Sequence, residues 1–197
     1  GSEMCIRDRL SIISPERIVA EYKAKGWENV ICYGMGSTLD DVKNAAAAEM
    51  NIVCSAAAIK AAEYLKEKFG TPYEIEYPQS CLPEEIVQKA DNFTDKNVLV
   101  IHNQTAADAV RKLITEKSGK CHCTSATFFM QKKELSQQSD FFLADESDLC
   151  DNVGDNYDVV IADKALRCVM KNFSGEFIDF PHFGLSGRLL QGESEKI

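Results

Sequence analysis

Apolar and polar positions along the chain follow two periods, one typical of buried strands and the other of amphipathic helices. The clearest unit covers residues 51–78, where the β-branched run NIVC precedes a helical pattern and a second short strand. The apolar positions of this helix are Ala58, Ala62, Leu65 and Phe69. We expect Ser55 to cap the helix and Gly70 to end it. The stretch therefore predicts a β-α-β unit with Cys54 at the carboxyl end of its first strand.

The remaining pattern repeats this alternation. Strands are predicted at 29–33, 97–102, 121–129, 141–144, 157–162 and 176–180. Helices are predicted from Pro15 and at 39–50, 84–90, 105–117, 132–137 and 164–170, with a turn or helix at 145–151. A capping box, Ser37 with Asp40 or Thr38 with Asp41, is expected to begin helix 39–50. Such alternation predicts an α/β fold with parallel sheets.

A break in the pattern near Phe93 divides the chain into two predicted domains. The first covers residues 10–92 and the second residues 93–190, and a polar tail follows at 191–197. Residues 1–9, GSEMCIRDR, resemble the translation of a transposon-end sequencing adaptor, with a cloning tag as the alternative. We therefore expect the natural protein to continue upstream of Leu10.

Composition narrows the class of protein. Of 197 residues, 45% are hydrophobic and 27% are charged, as in ordinary globular domains. The net charge of −9 argues against nucleic acid or an anionic membrane as a partner. Eight cysteines, one of them in the adaptor-like segment, are irregularly spaced, which favours buried thiols in a reducing compartment over a disulfide framework. The cytoplasm is the expected location.

Two candidate sites lie in the first half. Cys54 is either a small buried hydrophobic residue or a thiolate ligand, which the start of the following helix would stabilise. Gly34 and Gly36 lie between a predicted strand and helix, where backbone N–H groups could hold an anion. The full dinucleotide-binding motif is not present, so a plain tight turn is the alternative.

Two further stretches carry possible ligands. Cys121-His122-Cys123 suggests a metal site, but strand alternation puts the histidine and the cysteines on opposite faces, which favours buried thiols. The segment 180–188, FPHFGLSGR, follows the last strand. We therefore expect it to lie at the carboxyl edge of its parallel sheet, the kind of edge at which Cys54 is also expected. Its His182 either bonds to backbone or belongs to a site, and His102, which ends another strand, is interpreted as structural.

Several ordered pieces of the chain resemble the nitrogenase component 1 family, which includes nitrogenase-like reductases and cofactor scaffolds. The pieces are GSTLDDVK at 36–43, NIVC at 51–54, EKFGTPY at 67–73, KNVLVI at 96–101, YDVVIAD at 157–163 and FIDFPHFGLSGRL at 177–189. The resemblance implies two Rossmann-like (chelatase-like) parallel-sheet domains, the first incomplete. A further domain with iron–sulfur cysteines would precede them.

The resemblance also implies a function. Cys54 matches the cysteine and His182 the histidine that hold the metallocofactor, so both are expected to be metal ligands. The expected cofactor-binding residues are Cys54, Ser55, His182, Ser186, Arg188, Gly34 and Gly36. Electrons would come from an ATP-dependent iron protein to an iron–sulfur cluster or related metallocofactor. A small substrate or tetrapyrrole-like cofactor would be reduced in the interdomain cleft, within a homo- or hetero-oligomer.

One departure from the family pattern restricts the reaction. The aromatic and arginine residues that follow the ligand cysteine in the catalytic subunit are replaced here by Ser55, Ala56 and Ala57. Reduction of dinitrogen is therefore not expected. Two alternatives remain, a metallocluster assembly scaffold without turnover and a two-domain module that binds a small molecule.

Overall fold

The computed structural model describes residues 15–34, 36–153 and 156–186. The chain divides between Cys81 and Leu82 into two compact units, and each is described separately below. Both contain parallel strands that alternate with helices, so the predicted α/β fold class with parallel sheets is confirmed. The domain limits predicted around Phe93 stay a prediction.

The regular elements are short in the first unit and longer in the second. The helices are α1 Pro15–Ala24, α2 Leu39–Asn44, α3 Ile59–Phe69, α4 Glu84–Lys89, α5 Gln104–Ser118, α6 Glu146–Val153 and α7 Phe183–Ser186. The strands are β1 Asn51–Val53, β2 Tyr73–Ile75, β3 Asn97–Ile101, β4 His122–Thr127, β5 Phe141–Phe142, β6 Val159–Ala162 and β7 Glu176–Asp179. Short 3₁₀ helices lie at Ala45–Ala47, Ala56–Ala58, Gln79–Cys81, Ala90–Phe93, Lys133–Leu135 and Lys164–Cys168.

The first unit is built around β1, whose three residues are all buried. Strand β2 pairs with it in parallel, with Asn51 opposite Tyr73. Helix α3 joins the two strands and ends at Gly70, whose φ of 76° permits the left-handed cap that was predicted. The predicted β-α-β unit is therefore confirmed.

Several local predictions in this unit are wrong. Residues 29–33 contain a bridge at Cys32 but no strand within the described chain, because only Cys32 of this apolar run pairs as a strand residue would. Ser55 begins a 3₁₀ helix, and no capping hydrogen bond from its side chain is found there among the described residues. Phe69 is 57% exposed, since it lies in the last turn of α3 beyond the sheet.

The start of α2 agrees with one of the two predicted capping boxes. Thr38 accepts a hydrogen bond from the Asp41 N–H, and Asp41 accepts one from the Thr38 N–H at 2.6 Å. The helix stops at Asn44, and a 3₁₀ turn carries the chain to β1, so the predicted extent of 39–50 was too long.

The second unit contains a five-stranded parallel sheet in the order β5-β4-β3-β6-β7. Its central strands β3 and β6 are almost entirely buried, as expected of strands covered on both faces. Helix α5 crosses from β3 to β4 and buries the apolar positions predicted to face inward, namely Ala106, Val110, Leu113 and Ile114. All strands run in one direction, so their carboxyl ends lie at one edge of the sheet.

Within the described residues, no helix combines the length and the apolar character that crossing a membrane requires.

Candidate functional site

The carboxyl edge of the five-stranded sheet brings two histidines and a carboxylate together. His102 follows β3, Asp163 follows β6, and His182 follows β7. Since these three strands are neighbours, the residues that follow them meet at one edge. The rings of His102 and His182 lie 4.6 Å apart between centroids and meet edge to face. All three residues are buried.

Asp163 anchors the backbone around this cluster. Its Oδ2 accepts a hydrogen bond from the His182 N–H at 2.8 Å, and its Oδ1 accepts one from the Ala165 N–H at 2.8 Å. A fully buried carboxylate is costly unless donors surround it, and these two N–H groups supply part of that compensation. Asp163 therefore fixes the start of the segment that carries His182 and caps the 3₁₀ turn that follows β6.

His102 is held neutral inside the cluster. Its ring stacks on Phe180 at 4.0 Å, and its Nε2 lies 3.2 Å from the Pro181 carbonyl oxygen. Burial, helped by the nearby His182, lowers the pKa of His102 from 6.5 to about 3. A carbonyl oxygen only accepts, so Nε2 carries the single proton of the neutral ring. His102 thus holds the Pro181 peptide, which directly precedes His182, and this is the contact expected of a structural histidine.

The ring of His182 is fixed on two sides. It stacks on Phe129 with 4.5 Å between centroids and 6° between planes. Its Nδ1 accepts a hydrogen bond from the Gly184 N–H at 3.0 Å, which matches a neutral ring whose proton is on Nε2. A Cβ atom on Gly184 would lie 2.8 Å from the Phe129 ring, so only glycine permits this approach.

A second carboxylate lies beside the cluster. Asp179, at the end of β7, accepts a hydrogen bond from the Lys164 N–H at 2.8 Å. Burial, and then the charges of Asp163 and Glu85, raise the pKa of Asp179 to about 6. The edge of this sheet therefore concentrates negative charge around a neutral histidine pair.

In the first unit, Cys54 and Ser55 follow β1 and are buried. The Glu76 N–H bonds to the Val53 carbonyl oxygen at 3.1 Å, which places Glu76 beside the end of the same strand. Burial raises the pKa of Tyr22, and the nearby charges of Glu76 and Cys54 add to the shift. A tyrosine and a carboxylate therefore lie near the thiol.

A lysine completes the polar surroundings of this strand end. Lys25 Nζ lies 2.7 Å from Glu76 Oε1, 3.0 Å from Glu21 Oε1 and 4.3 Å from the centroid of the Tyr22 ring. Burial opposes its charge, but the hydrogen bonds to Glu76 and Glu21 outweigh this and raise the pKa of Lys25. Lys25 is therefore held as a cation between two carboxylates.

The two glycines proposed for anion binding form a tight turn. Gly34 and Gly36 have φ angles of 82° and 87°, and the Gly34 N–H donates to Ser37 Oγ at 3.0 Å. That donor is already engaged within the turn, so the alternative of a plain turn accounts for both glycines. Their role in binding a cofactor stays a prediction.

The remaining predicted residues divide between described and undescribed parts of the chain. Ser186 ends α7, and Arg188 lies outside the described residues. In the Cys121-His122-Cys123 stretch, His122 is exposed and both cysteines are half-buried, so the alternation of faces agrees with the prediction but the thiols are less buried than expected. Burial raises the pKa of Cys123 to about 12, against the opposing effect of Arg111. Burial therefore disfavours the thiolate form of both cysteines.

The described residues supply suitable ligand types for a metallocofactor but no complete metal site. A thiolate and an imidazole are both suitable ligands for iron. Among the described residues, however, no group of three or more histidine, cysteine or acidic side chains could hold a metal ion. Ligation through Nε2 of His182 would move the ring proton to Nδ1, which faces the Gly184 N–H, so this contact would have to open.

Sequence reasoning found His182 and His102 but missed Asp163, Phe129 and Gly184. Asp163 did carry a signal, since it is an acid directly after the apolar run VVIA and so falls at the carboxyl edge of the sheet. Phe129 and Gly184 carried none, because their role depends on the approach of two loops.

Comparison with known proteins shows a shared fold. No protein-family model matches the sequence, and no curated protein matches it. A solved structure titled "Nitrogenase Cp1 at pH 6.5" matches with a TM-score of 0.59 and 14% identity, over 93% of this chain and 53% of that one. The D-lactate dehydrogenase with NAD+ from Lactobacillus jensenii matches with a TM-score of 0.23 and 10% identity, over 82% of this chain and 62% of that one. At this TM-score the likeness supports no conclusion about the fold. The chain thus spans about half the length of the nitrogenase chain and has a nitrogenase-like fold.

Proposed function

We propose that this chain is part of a nitrogenase-like component 1 oxidoreductase. In this proposal the protein receives low-potential electrons from an ATP-dependent iron protein and passes them to a small substrate or a tetrapyrrole-like cofactor. The observation that carries it is the likeness of fold to a nitrogenase chain over 93% of the sequence. The ordered motifs of the sequence add support, since they include both expected ligand residues.

Cys54 and His182 are the proposed metal ligands. Each follows a strand at the carboxyl edge of a parallel sheet, where α/β folds bind their ligands. Ser55, Gly34 and Gly36 of the first unit, with Ser186 and Arg188 of the second, are the further proposed contacts. When bound, the metallocofactor would supply low-potential electron transfer.

The roles of the other described residues follow from their contacts. Asp163 holds the backbone of His182, His102 supports Pro181, and Phe129 fixes the plane of the His182 ring. These are positioning residues, because they act through His182. The proposed partners are the iron protein and a second, related or identical subunit.

Electron transfer tests this function without knowledge of the substrate. The protein in its natural length would be mixed anaerobically with a reduced, ATP-hydrolysing iron protein of the nitrogenase type, and oxidation of the iron protein would be followed by stopped-flow absorbance. We expect ATP-dependent oxidation, and its loss in Cys54→Ala. The matched control is Cys81→Ala, which removes another buried thiol of the same unit. Absence of ATP-dependent oxidation with a loaded cofactor would contradict an enzyme and favour an assembly scaffold.

A further inference from the structure

Two cysteines of the second unit differ from the other five that the structure describes. Cys150 on α6 and Cys168 in the 3₁₀ helix Lys164–Cys168 are exposed. The other described cysteines are buried or half-buried, namely Cys32, Cys54, Cys81, Cys121 and Cys123. Exposure makes the pair accessible to small oxidants, which the buried thiols are not.

The two exposed sulfur atoms contact the same short segment of backbone. Cys168 Sγ donates to the Ala165 carbonyl oxygen at 3.0 Å, and Cys150 Sγ donates to the Val169 carbonyl oxygen at 3.5 Å. Carbonyl oxygens four residues apart in a helical segment are separated by about 6 to 8 Å. Helix α6 therefore delivers one thiol to the turn that carries the other.

Little holds the thiols in their present rotamers. An S–H group is a weak donor, so each contact with a carbonyl oxygen is easily exchanged for water. Rotation of an exposed side chain about its Cα–Cβ bond moves the sulfur by up to about 3 Å at small cost. Each sulfur can therefore change rotamer at the surface without disturbing the apolar core beneath it.

We propose that Cys150 and Cys168 form a reversible dithiol–disulfide site. A low-molecular-weight disulfide is the oxidant: one thiolate attacks it and releases one small thiol, and the second thiolate then displaces the other. Two S–H bonds are lost and one S–S bond forms between the cysteines. The two electrons and two protons leave with the small disulfide, which becomes two thiols. This site is independent of the proposed electron-transfer function.

The bond would connect α6 to the turn that carries Asp163. That turn begins where Asp163 accepts the Ala165 N–H and ends at Cys168. The same carboxylate holds the His182 N–H, so the oxidised pair would restrain the segment next to the histidine cluster. Cross-linking also removes conformations from the unfolded chain, so the oxidised protein should unfold at a higher temperature.

Mass spectrometry tests the proposal directly on the full 197-residue chain. The reduced protein would be incubated with oxidised glutathione under argon, alkylated and digested with trypsin, whose cleavage after lysine and arginine yields peptides 134–164 and 168–171. We expect these two peptides joined by one disulfide, with two alkylated thiols fewer per chain. Dithiothreitol should separate them.

Single substitutions give the matched controls. In Cys150→Ser, Cys168 should carry a glutathionyl group instead of a cross-link, and Cys168→Ser should leave the group on Cys150. Cys121→Ser should leave the cross-link intact. Recovery of both cysteines in the wild-type chain as separate glutathionyl adducts, or linkage of either one to a different cysteine, would overturn the proposal.

Discussion

His102 shows how one buried side chain links stability to pH. Its pKa is about 3 in the folded protein, below the ordinary value of 6.5. As pH falls below about 6.5, the unfolded chain therefore binds a proton that the folded chain does not. Stability from this group is complete above that pH and is lost as pH falls toward 3, by up to about 1.4 kcal/mol per pH unit.

A His102→Gln variant isolates this effect, because glutamine can still donate to the Pro181 carbonyl oxygen but does not titrate. Between pH 7 and pH 5, the wild-type free energy of unfolding should fall by about 2 kcal/mol more than that of the variant. Asp179 acts in the opposite direction, since its pKa is raised to about 6, but it is present in both proteins and cancels. Urea unfolding at the two pH values measures the difference, and equal losses would refute a neutral His102.

Gly184 tests the packing of the His182 ring. A Cβ at this position would lie 2.8 Å from the Phe129 ring, so Gly184→Ala must push that ring off its stack. We expect a cost of about 1 kcal/mol in unfolding free energy, although alanine is the better helix former. In a Phe129→Leu background the same change should cost less or stabilise. Additive effects of the two substitutions would show that the Cβ at position 184 and the Phe129 ring do not compete for space.

At the scale of elements, Asp140 ties the segment after β4 to α5. Its Oδ1 accepts from Arg111 Nη2 and from the Ser125 N–H, and its Oδ2 accepts from the Gln137 N–H. Arg111 and Asp140 side chains are only 9% and 5% exposed, whereas Asp108, the other partner of Arg111, is 39% exposed. Asp140 is therefore the buried half of this network.

Asp140→Asn should cost about 3 kcal/mol of unfolding free energy, because it removes the buried countercharge of Arg111 and leaves only the exposed Asp108. Asp108→Asn removes a carboxylate from the same arginine but from an exposed position, and should cost less than about 1 kcal/mol. Chemical denaturation of the two variants checks the ranking. Similar costs would mean that the charge of the buried Asp140 contributes no more to stability than that of the exposed Asp108.

The elements themselves were largely predictable from sequence, and their ends were less so. Apolar periodicity gave α5 with its buried positions and the parallel strands β3 and β6. It failed at residues 29–33 and at the Ser55 cap, where one or two backbone torsions decide the outcome. In the site, strand ends identified His102 and His182, but the contact of Phe129 with Gly184 arises from tertiary packing alone.

At the scale of the molecule, the two units differ in the size of their sheets. The first unit has two strands of three residues, and the second has a buried sheet of five strands. Several large apolar side chains of the first unit are exposed, namely Leu39, Val42, Tyr64, Phe69 and Ile75. Less apolar burial predicts lower stability for that unit.

Trp27, the single tryptophan, reports on the first unit alone. Its fluorescence should change at a lower urea concentration than the far-UV circular dichroism of the whole chain, with midpoints about 1–2 M apart. Coincident transitions would show instead that the two units unfold as one cooperative body.

The central proposal is that Cys54 and His182 are metal ligands, and iron retention tests it most directly. The protein in its natural length would be purified anaerobically, and its iron content and low-temperature electron paramagnetic resonance compared among wild type, Cys54→Ala, His182→Ala and the control Cys81→Ala. The account predicts that each ligand variant loses iron and its paramagnetic signal, while the control keeps them. Unchanged iron and an unchanged signal in the Cys54 and His182 variants would contradict it.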